Sequence, residues 1–214
     1  MTSNAERIRR HYEPRVDSER ENYDILDWGT RESQLARFRV LADALRRELA
    51  EDPAVPTLLD VGCGMTDLAD FLYEQELAVR YVGVDLTLAV IQEALRRYPG
   101  RQLVQGDVFT ASPFQPGSID VSYCSGVFNL QLGNNRQFVL NAVPALLAQS
   151  RRLVVVNMLH IRTRVKYPHC CYLDPDDIAP SLEPFAERIE IVDDYLENDF
   201  TLILHPPHVQ GSKV

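Results

Sequence analysis

The sequence predicts an open α/β fold, a mixed sheet of seven strands with helices on both faces and its last strand antiparallel. Three observations predict it. From residue 57 onward, short aliphatic and β-branched runs alternate with stretches of helical apolar spacing, the pattern of successive β-α units. The first run, Leu58-Leu59-Asp60-Val61, passes into Gly62-Cys63-Gly64 and then into a helix whose Leu68, Phe71 and Leu72 share one face. The final two runs, 188–192 and 200–204, are too close in sequence for a parallel crossover and should pair as an antiparallel hairpin.

The elements follow in order. Residues 5–50 read as helical and polar, with Leu35, Phe38, Leu41, Leu45 and Leu49 spaced for one buried face. Ahead of that face lies a less regular arm carrying Tyr12, Tyr23 and Trp28. Trp28-Gly29-Thr30 reads as a turn, Thr30 or Ser33 as an N-cap, and Asp52–Pro56 as the helix stop. Strand one spans 57–62 and its helix 66–76, with Thr66 or Asp67 as cap. Strand two spans 80–86; its helix, 87–98, turns Val90, Ile91, Ala94 and Leu95 inward and ends at Pro99-Gly100. Strand three is 102–107, and a Pro-rich loop, 112–117, leads to strand four at 119–124. The helix over 134–149 contains Pro144, which predicts a kink or a late start. Strand five, 152–157, is the most β-branched stretch. A helix near 175–187 precedes the closing pair, and Pro206-Pro207 stops the last strand. The expected division is an N-terminal arm or lid at 1–56, a core at 57–205 and a tail at 206–214.

Composition narrows the function. The 214 residues suit one α/β domain, and the 45% hydrophobic and 25% charged content is that of an ordinary globular chain. No apolar run reaches the roughly 18 residues of a membrane span. The N-terminus goes straight into charge without a signal-peptide core, so a cytoplasmic location is expected. A net charge of −9 argues against a grip on nucleic acid, whose phosphates require clustered cations. The four cysteines, Cys63, Cys124, Cys170 and Cys171, read as reduced thiols. The His169-Cys170-Cys171 cluster lacks C-x-x-C spacing, so no metal is expected.

Chemistry concentrates at the strand ends. Gly62 and Gly64 permit backbone angles that side chains forbid and let a ligand approach the main chain. A strand, a bare turn and a helix N-terminus together suit a nucleotide-like cofactor. Asp85, at the end of strand two and about twenty residues past the turn, can accept hydrogen bonds from both ribose hydroxyls. The competing reading makes Asp85 a cap for the next helix.

Asp60-x-Gly62-x-Gly64 resembles motif I of the class I S-adenosylmethionine-dependent methyltransferases, and residues 57–205 follow that superfamily's layout. The resemblance implies a Rossmann-like sheet of order 3-2-1-4-5-7-6, with S-adenosyl-L-methionine as cofactor and S-adenosyl-L-homocysteine as product. It places the cofactor on Asp60, Gly62, Cys63, Gly64, Asp85, Leu86, Asp107, Val108 and Cys124. Asp60 would orient the glycine turn near the sulfonium, Leu86 would pack on adenine, and Asp107 with the Val108 N–H would meet its edge.

The chain departs from the family at Met65-Thr66, where a further glycine is usual. It departs again at Cys124-Ser125-Gly126-Val127-Phe128-Asn129, where an Asn/Asp-Pro-Pro-Tyr/Phe motif would mark amino-methylating enzymes. This favours a small-molecule acceptor methylated at oxygen or nitrogen, by a monomer or homodimer with no nucleic-acid or membrane partner. Tyr23, Trp28 and Arg37 are lid candidates, with Asn129 beside the substrate. His160 and Tyr172 are the candidates for a base. The pattern Trp28–Gln34 with Arg37-Phe38 looks like a bacterial branch of the superfamily. Two alternatives stand. A nicotinamide-dependent oxidoreductase would want a third glycine near Asp67, and a non-catalytic cofactor-binding or interaction domain would tolerate both departures.

Overall fold

A computed structural model of the chain describes residues 3–17 and 19–207, so the tail from His208 lies outside the described residues. The sheet contains β1 (Thr57–Val61), β2 (Arg80–Asp85), β3 (Leu103–Gln105), β4 (Ile119–Ser125), β5 (Ser150–Leu159), β6 (Arg188–Val192) and β7 (Asp199–His205). Their order is β3-β2-β1-β4-β5-β7-β6, parallel throughout except where β7 pairs antiparallel with β5 and β6. The helices are α1 (Asn4–Tyr12), α2 (Asn22–Ile25), α3 (Arg31–Glu51), α4 (Asp67–Glu74), α5 (Leu88–Arg97), α6 (Asn135–Gln149) and α7 (Pro175–Leu182).

Strand alternation divides the core between two faces. Leu59, Val61, Val154 and Val156 meet Val143 and Leu146 of α6 and Ile178 of α7. Leu58, Val121, Leu153 and Val155 face the opposite way, onto Phe38, Leu41 and Leu45 of α3 and Leu68 and Phe71 of α4. Val61 is in register with both Val84 and Cys124, which brings the tips of β1, β2 and β4 to one edge.

Several local expectations change. The Pro-rich loop over 112–117 is as expected, since Pro113, Pro116 and Gly117 cannot sustain a helix, and four helices accompany the core strands among the described residues. α6 starts on schedule and runs through Pro144, whose ring nitrogen has no hydrogen to donate. The helix after β5 stops at Leu182 and tightens into a 3₁₀ turn, Glu183–Phe185, around Pro184. β5 extends at both ends of the expected strand, being paired on both sides by β4 and β7.

Thr30 caps α3, accepting from the Ser33 N–H. The start of α4 is different. Thr66 holds a left-handed φ of 65° and its hydroxyl is buried without a partner, so it does not cap. Asp67 does not cap either: its carboxylate accepts from Asn22 at 2.6 Å and Gln34 at 3.3 Å.

Candidate functional site

A cavity of ≈ 520 Å³ opens at the carboxyl edge of the parallel strands. Gly62, Asp85, Leu86, Asp107 and Val108 line its floor, as the open-sheet rule places ligands. The floor is built by the turn after β1. Gly62 adopts φ +72°, and both the Gly62 and Cys63 N–H groups donate to the Val84 carbonyl, at 2.8 and 3.1 Å. A Cβ on Gly62 would stand 2.5 Å from Val127, so a side chain there would collide with the opposite wall.

Asp85 lines the cavity and does not cap α5, whose N-cap is Thr87. One carboxylate oxygen accepts from the Thr87 N–H at 2.8 Å and the other from the Gly64 N–H at 3.2 Å. Two donors leave acceptor capacity for a ligand hydroxyl. Burial raises its pKa above the usual carboxylate range, opposed by those backbone N–H bonds. Asp107 accepts from the Phe109 N–H at 3.0 Å and holds the loop after β3 beside the floor.

Six expected site residues lie outside the lining. Asp60 is buried on the α3/α4 side of β1, where its carboxylate accepts from the Tyr81 hydroxyl at 2.7 Å. The Cys63 thiol packs against Gly83 of β2, Gly64 sits under Leu26, and Cys124 is enclosed in the α6/α7 core. Tyr23 offers its backbone carbonyl to the Trp28 N–H at 2.9 Å. His160 turns away, its ring edge against Phe200 and its Nδ1 accepting from the Arg162 N–H at 3.3 Å. Burial and the Arg162 charge lower its pKa.

Tyr172 does line the cavity, and its hydroxyl accepts from the Tyr167 N–H at 2.9 Å. Burial raises its pKa, which disfavours the phenolate a base would need. Asn129 also lines the cavity. Ser125 reaches it but gives its hydroxyl proton to Asn157 at 3.2 Å.

The N-terminal arm forms the roof. Arg7 donates to the Leu132 carbonyl and Arg9 to the Leu86 carbonyl, clamping α1 across the floor. Trp28 lies over Gly126, where a Cβ would be 2.8 Å from the ring, and the Arg37 guanidinium stands 4.4 Å from the indole centroid. Arg37 lines the cavity, yet its charge is committed. Nε and Nη2 grip both oxygens of Asp199 at 2.8 and 2.7 Å, and Nη1 donates to the Ser33 carbonyl. Asn157 joins this buried group, donating to Asp199, Tyr195 and the Phe200 carbonyl. Arg37 is therefore an anchor of α3 to β7 rather than a free cation for a ligand carboxylate.

Residues without a sequence signal complete the roof. His11 Nε2 lies 3.0 Å from Asp27, Arg15 pairs with the same carboxylate at 3.0 Å, and His169 approaches it at 3.7 Å. The two imidazoles stack at 6.0 Å, joining the arm to the loop after β5. One wall did have a signal. Asn134, Gln137, Phe138, Asn141 and Ala142 line the cavity from α6 at positions i, i+3, i+4, i+7 and i+8, a helical face readable from sequence. Among the described residues, no cluster of three or more His, Cys, Asp or Glu side chains is placed to hold a metal, and the four cysteines are free.

The profile of a family described as "Methyltransferase domain" matches residues 59–155, from β1 into β5. Over that stretch, somewhat less than half of its length, the chain is similar to a methyltransferase domain. Its fold is similar to magnesium protoporphyrin IX methyltransferase from Synechocystis PCC 6803, solved with bound SAM, at TM-score 0.65 and 13% identity, covering 96% of this chain and 98% of that one. It is similar also to the N-methyltransferase NodS from Bradyrhizobium japonicum WM9, solved with S-adenosyl-L-homocysteine, at TM-score 0.64 and 15% identity over 96% of this chain and 100% of that one. Among curated proteins it resembles the mouse 18S rRNA (guanine-N(7))-methyltransferase, 38% identical over 63 residues. That match spans 29% of this chain and 22% of the mouse enzyme. No helix among the described residues is long and apolar enough to cross a membrane.

Proposed function

We propose that this chain binds S-adenosylmethionine along the strand tips and methylates a small molecule, at oxygen or nitrogen, beneath the N-terminal arm. One observation carries the reading: a single cavity runs from Asp85 and Asp107 on the sheet edge to His11, Trp28 and Tyr172 in the roof. Its ≈ 520 Å³ falls in the usual range of small-molecule sites. α1 and the loop after β5 cover it, and the net charge of −9 does not suit a polyphosphate partner.

The residues present fit the cofactor. The Gly62 turn exposes its main chain, Asp85 keeps spare acceptor capacity for hydroxyls, and Trp28 Nε1 and Asn129 Oδ1 are buried polar atoms without a protein partner. When bound, S-adenosylmethionine supplies a methyl group on a positively charged sulfur. The chain then has to align the acceptor, exclude water and remove a proton. His11 is the group built for that last task. Asp27 can only accept from Nε2–H, which leaves Nδ1 as the nitrogen free to take a proton.

Calorimetric titration with S-adenosylmethionine, S-adenosylhomocysteine and NAD tests the reading. The two sulfur ligands should bind, and Asp85→Ala should weaken them by about 1.5–3 kcal/mol for the charge-assisted bond removed. Binding of NAD without the sulfur ligands would overturn it.

A further inference from the structure

The indole N–H of Trp28 and the side-chain oxygen of Asn129 are buried without a partner among the described residues, and both residues line the cavity. Native structures seldom leave buried polar groups unpaired, and one of these is a donor, the other an acceptor.

Both border the glycine turn. The Asn129 N–H closes onto the Gly126 carbonyl at 3.1 Å, while the Trp28 ring covers Gly126. Val127, between those positions, fills the space over Gly62. Asp85, Leu86 and Asp107 lie apart from them, at the ends of β2 and β3. Trp28 is fixed in place: its backbone N–H donates to the Tyr23 carbonyl, its ring meets Arg37, and the neighbouring Asp27 is tied to His11 and Arg15.

We infer that Trp28 Nε1–H and Asn129 Oδ1 hold the amino-acid end of the cofactor. The indole donates to its carboxylate, and the amide oxygen accepts from its ammonium. A zwitterion presents one anionic acceptor and one cationic donor, the complement of this pair. Arg37 cannot supply the anion's partner, because Asp199 occupies two of its nitrogens. The assignment rests on the S-adenosylmethionine reading above and adds to it a means of rejecting adenosine thioethers that lack the amino-acid end.

The test titrates wild type, Trp28→Phe and Asn129→Ala with S-adenosylhomocysteine and with 5′-methylthioadenosine, which keeps the nucleoside and sulfur but has no amino-acid end. Each substitution should weaken S-adenosylhomocysteine about tenfold or more, the effect of one charge-assisted hydrogen bond. Affinity for 5′-methylthioadenosine and the melting temperature of the free protein should hold. Equal losses for both ligands, or an unchanged affinity for S-adenosylhomocysteine, would overturn the assignment and leave the cofactor reading standing. A wild-type chain that binds neither ligand would overturn the cofactor reading and the assignment with it.

Discussion

Asp60 and Asp199 are both buried strand carboxylates, 4% and 0% exposed, yet they are managed in opposite ways. Asp199 opens β7 and receives two hydrogen bonds from Arg37 and one from Asn157. Asp60, in β1, receives one from the neutral Tyr81 hydroxyl, and burial pushes its pKa up to about 7 despite that bond, with Asp85 and Asp67 adding to the rise. Charge pairing is concentrated where the arm's long helix joins the sheet. The glycine strand instead keeps an acid near neutrality just behind the cavity floor. The first arrangement fixes the roof; the second leaves a buried carboxylate with one neutral partner.

The comparison breaks most visibly at Asp199. Asp199→Ala should strand the Arg37 guanidinium in the interior and cost about 3–5 kcal/mol of folding stability. Arg37→Met combined with Asp199→Leu removes both charges and should recover most of that loss. Denaturant unfolding of the single and double variants measures it. A double variant as unstable as the single one would show that the charge pairing is not the source of the cost.

Asp60→Asn sharpens the other side. The amide oxygen still accepts from Tyr81, and the group can no longer ionise. An acid whose folded pKa is raised is harmless while protonated and becomes a penalty as pH rises. Wild type and variant should therefore match below pH 3.8, diverge as pH climbs toward about 7, and stay apart above it. At pH 8 the variant should be the more stable by roughly 4 kcal/mol, since each pKa unit corresponds to about 1.4 kcal/mol. Melting curves from pH 4 to pH 8 follow the divergence, and parallel curves would mean that Asp60 titrates normally.

The same contrast explains what could be read from the sequence. The floor is local: alternation placed β1 and β2, the two glycines placed the turn, and Asp85 and Asp107 fell at strand ends that line the cavity. The roof is assembled from distant parts. Arg37 and Asp199 are 162 positions apart, and nothing near Arg37 in the chain announces its partner. His11, Asp27 and His169 meet only because α1 folds back over the sheet edge and the β5 loop rises to it. His160 was a reasonable base by position, but strand geometry fixes only where a side chain starts, and its ring lies against Phe200. Asp60 shows the same limit on the floor, since alternation turns residues 58 and 60 toward α3 and α4 while Val61 goes the other way.

The smallest expected effect concerns strain beside the floor. Thr66 is β-branched in a left-handed conformation, φ 65° and ψ 22°, and its buried hydroxyl has no partner. The backbone costs about 1–2 kcal/mol, and the orphaned hydroxyl about 1–3. Thr66→Gly relieves both. It gives up a buried methyl, about 0.8 kcal/mol, and loosens the unfolded chain by a similar amount. The balance favours the variant by roughly 1 kcal/mol, a rise of about 2–4 °C in melting temperature for a chain of this size. Thr66→Val separates the causes, because it keeps the branch and the strain while removing the hydroxyl. If valine gains as much as glycine, the unpaired oxygen accounts for the cost; if only glycine gains, the backbone does. A glycine variant that melts lower would show that the threonine stabilises the turn.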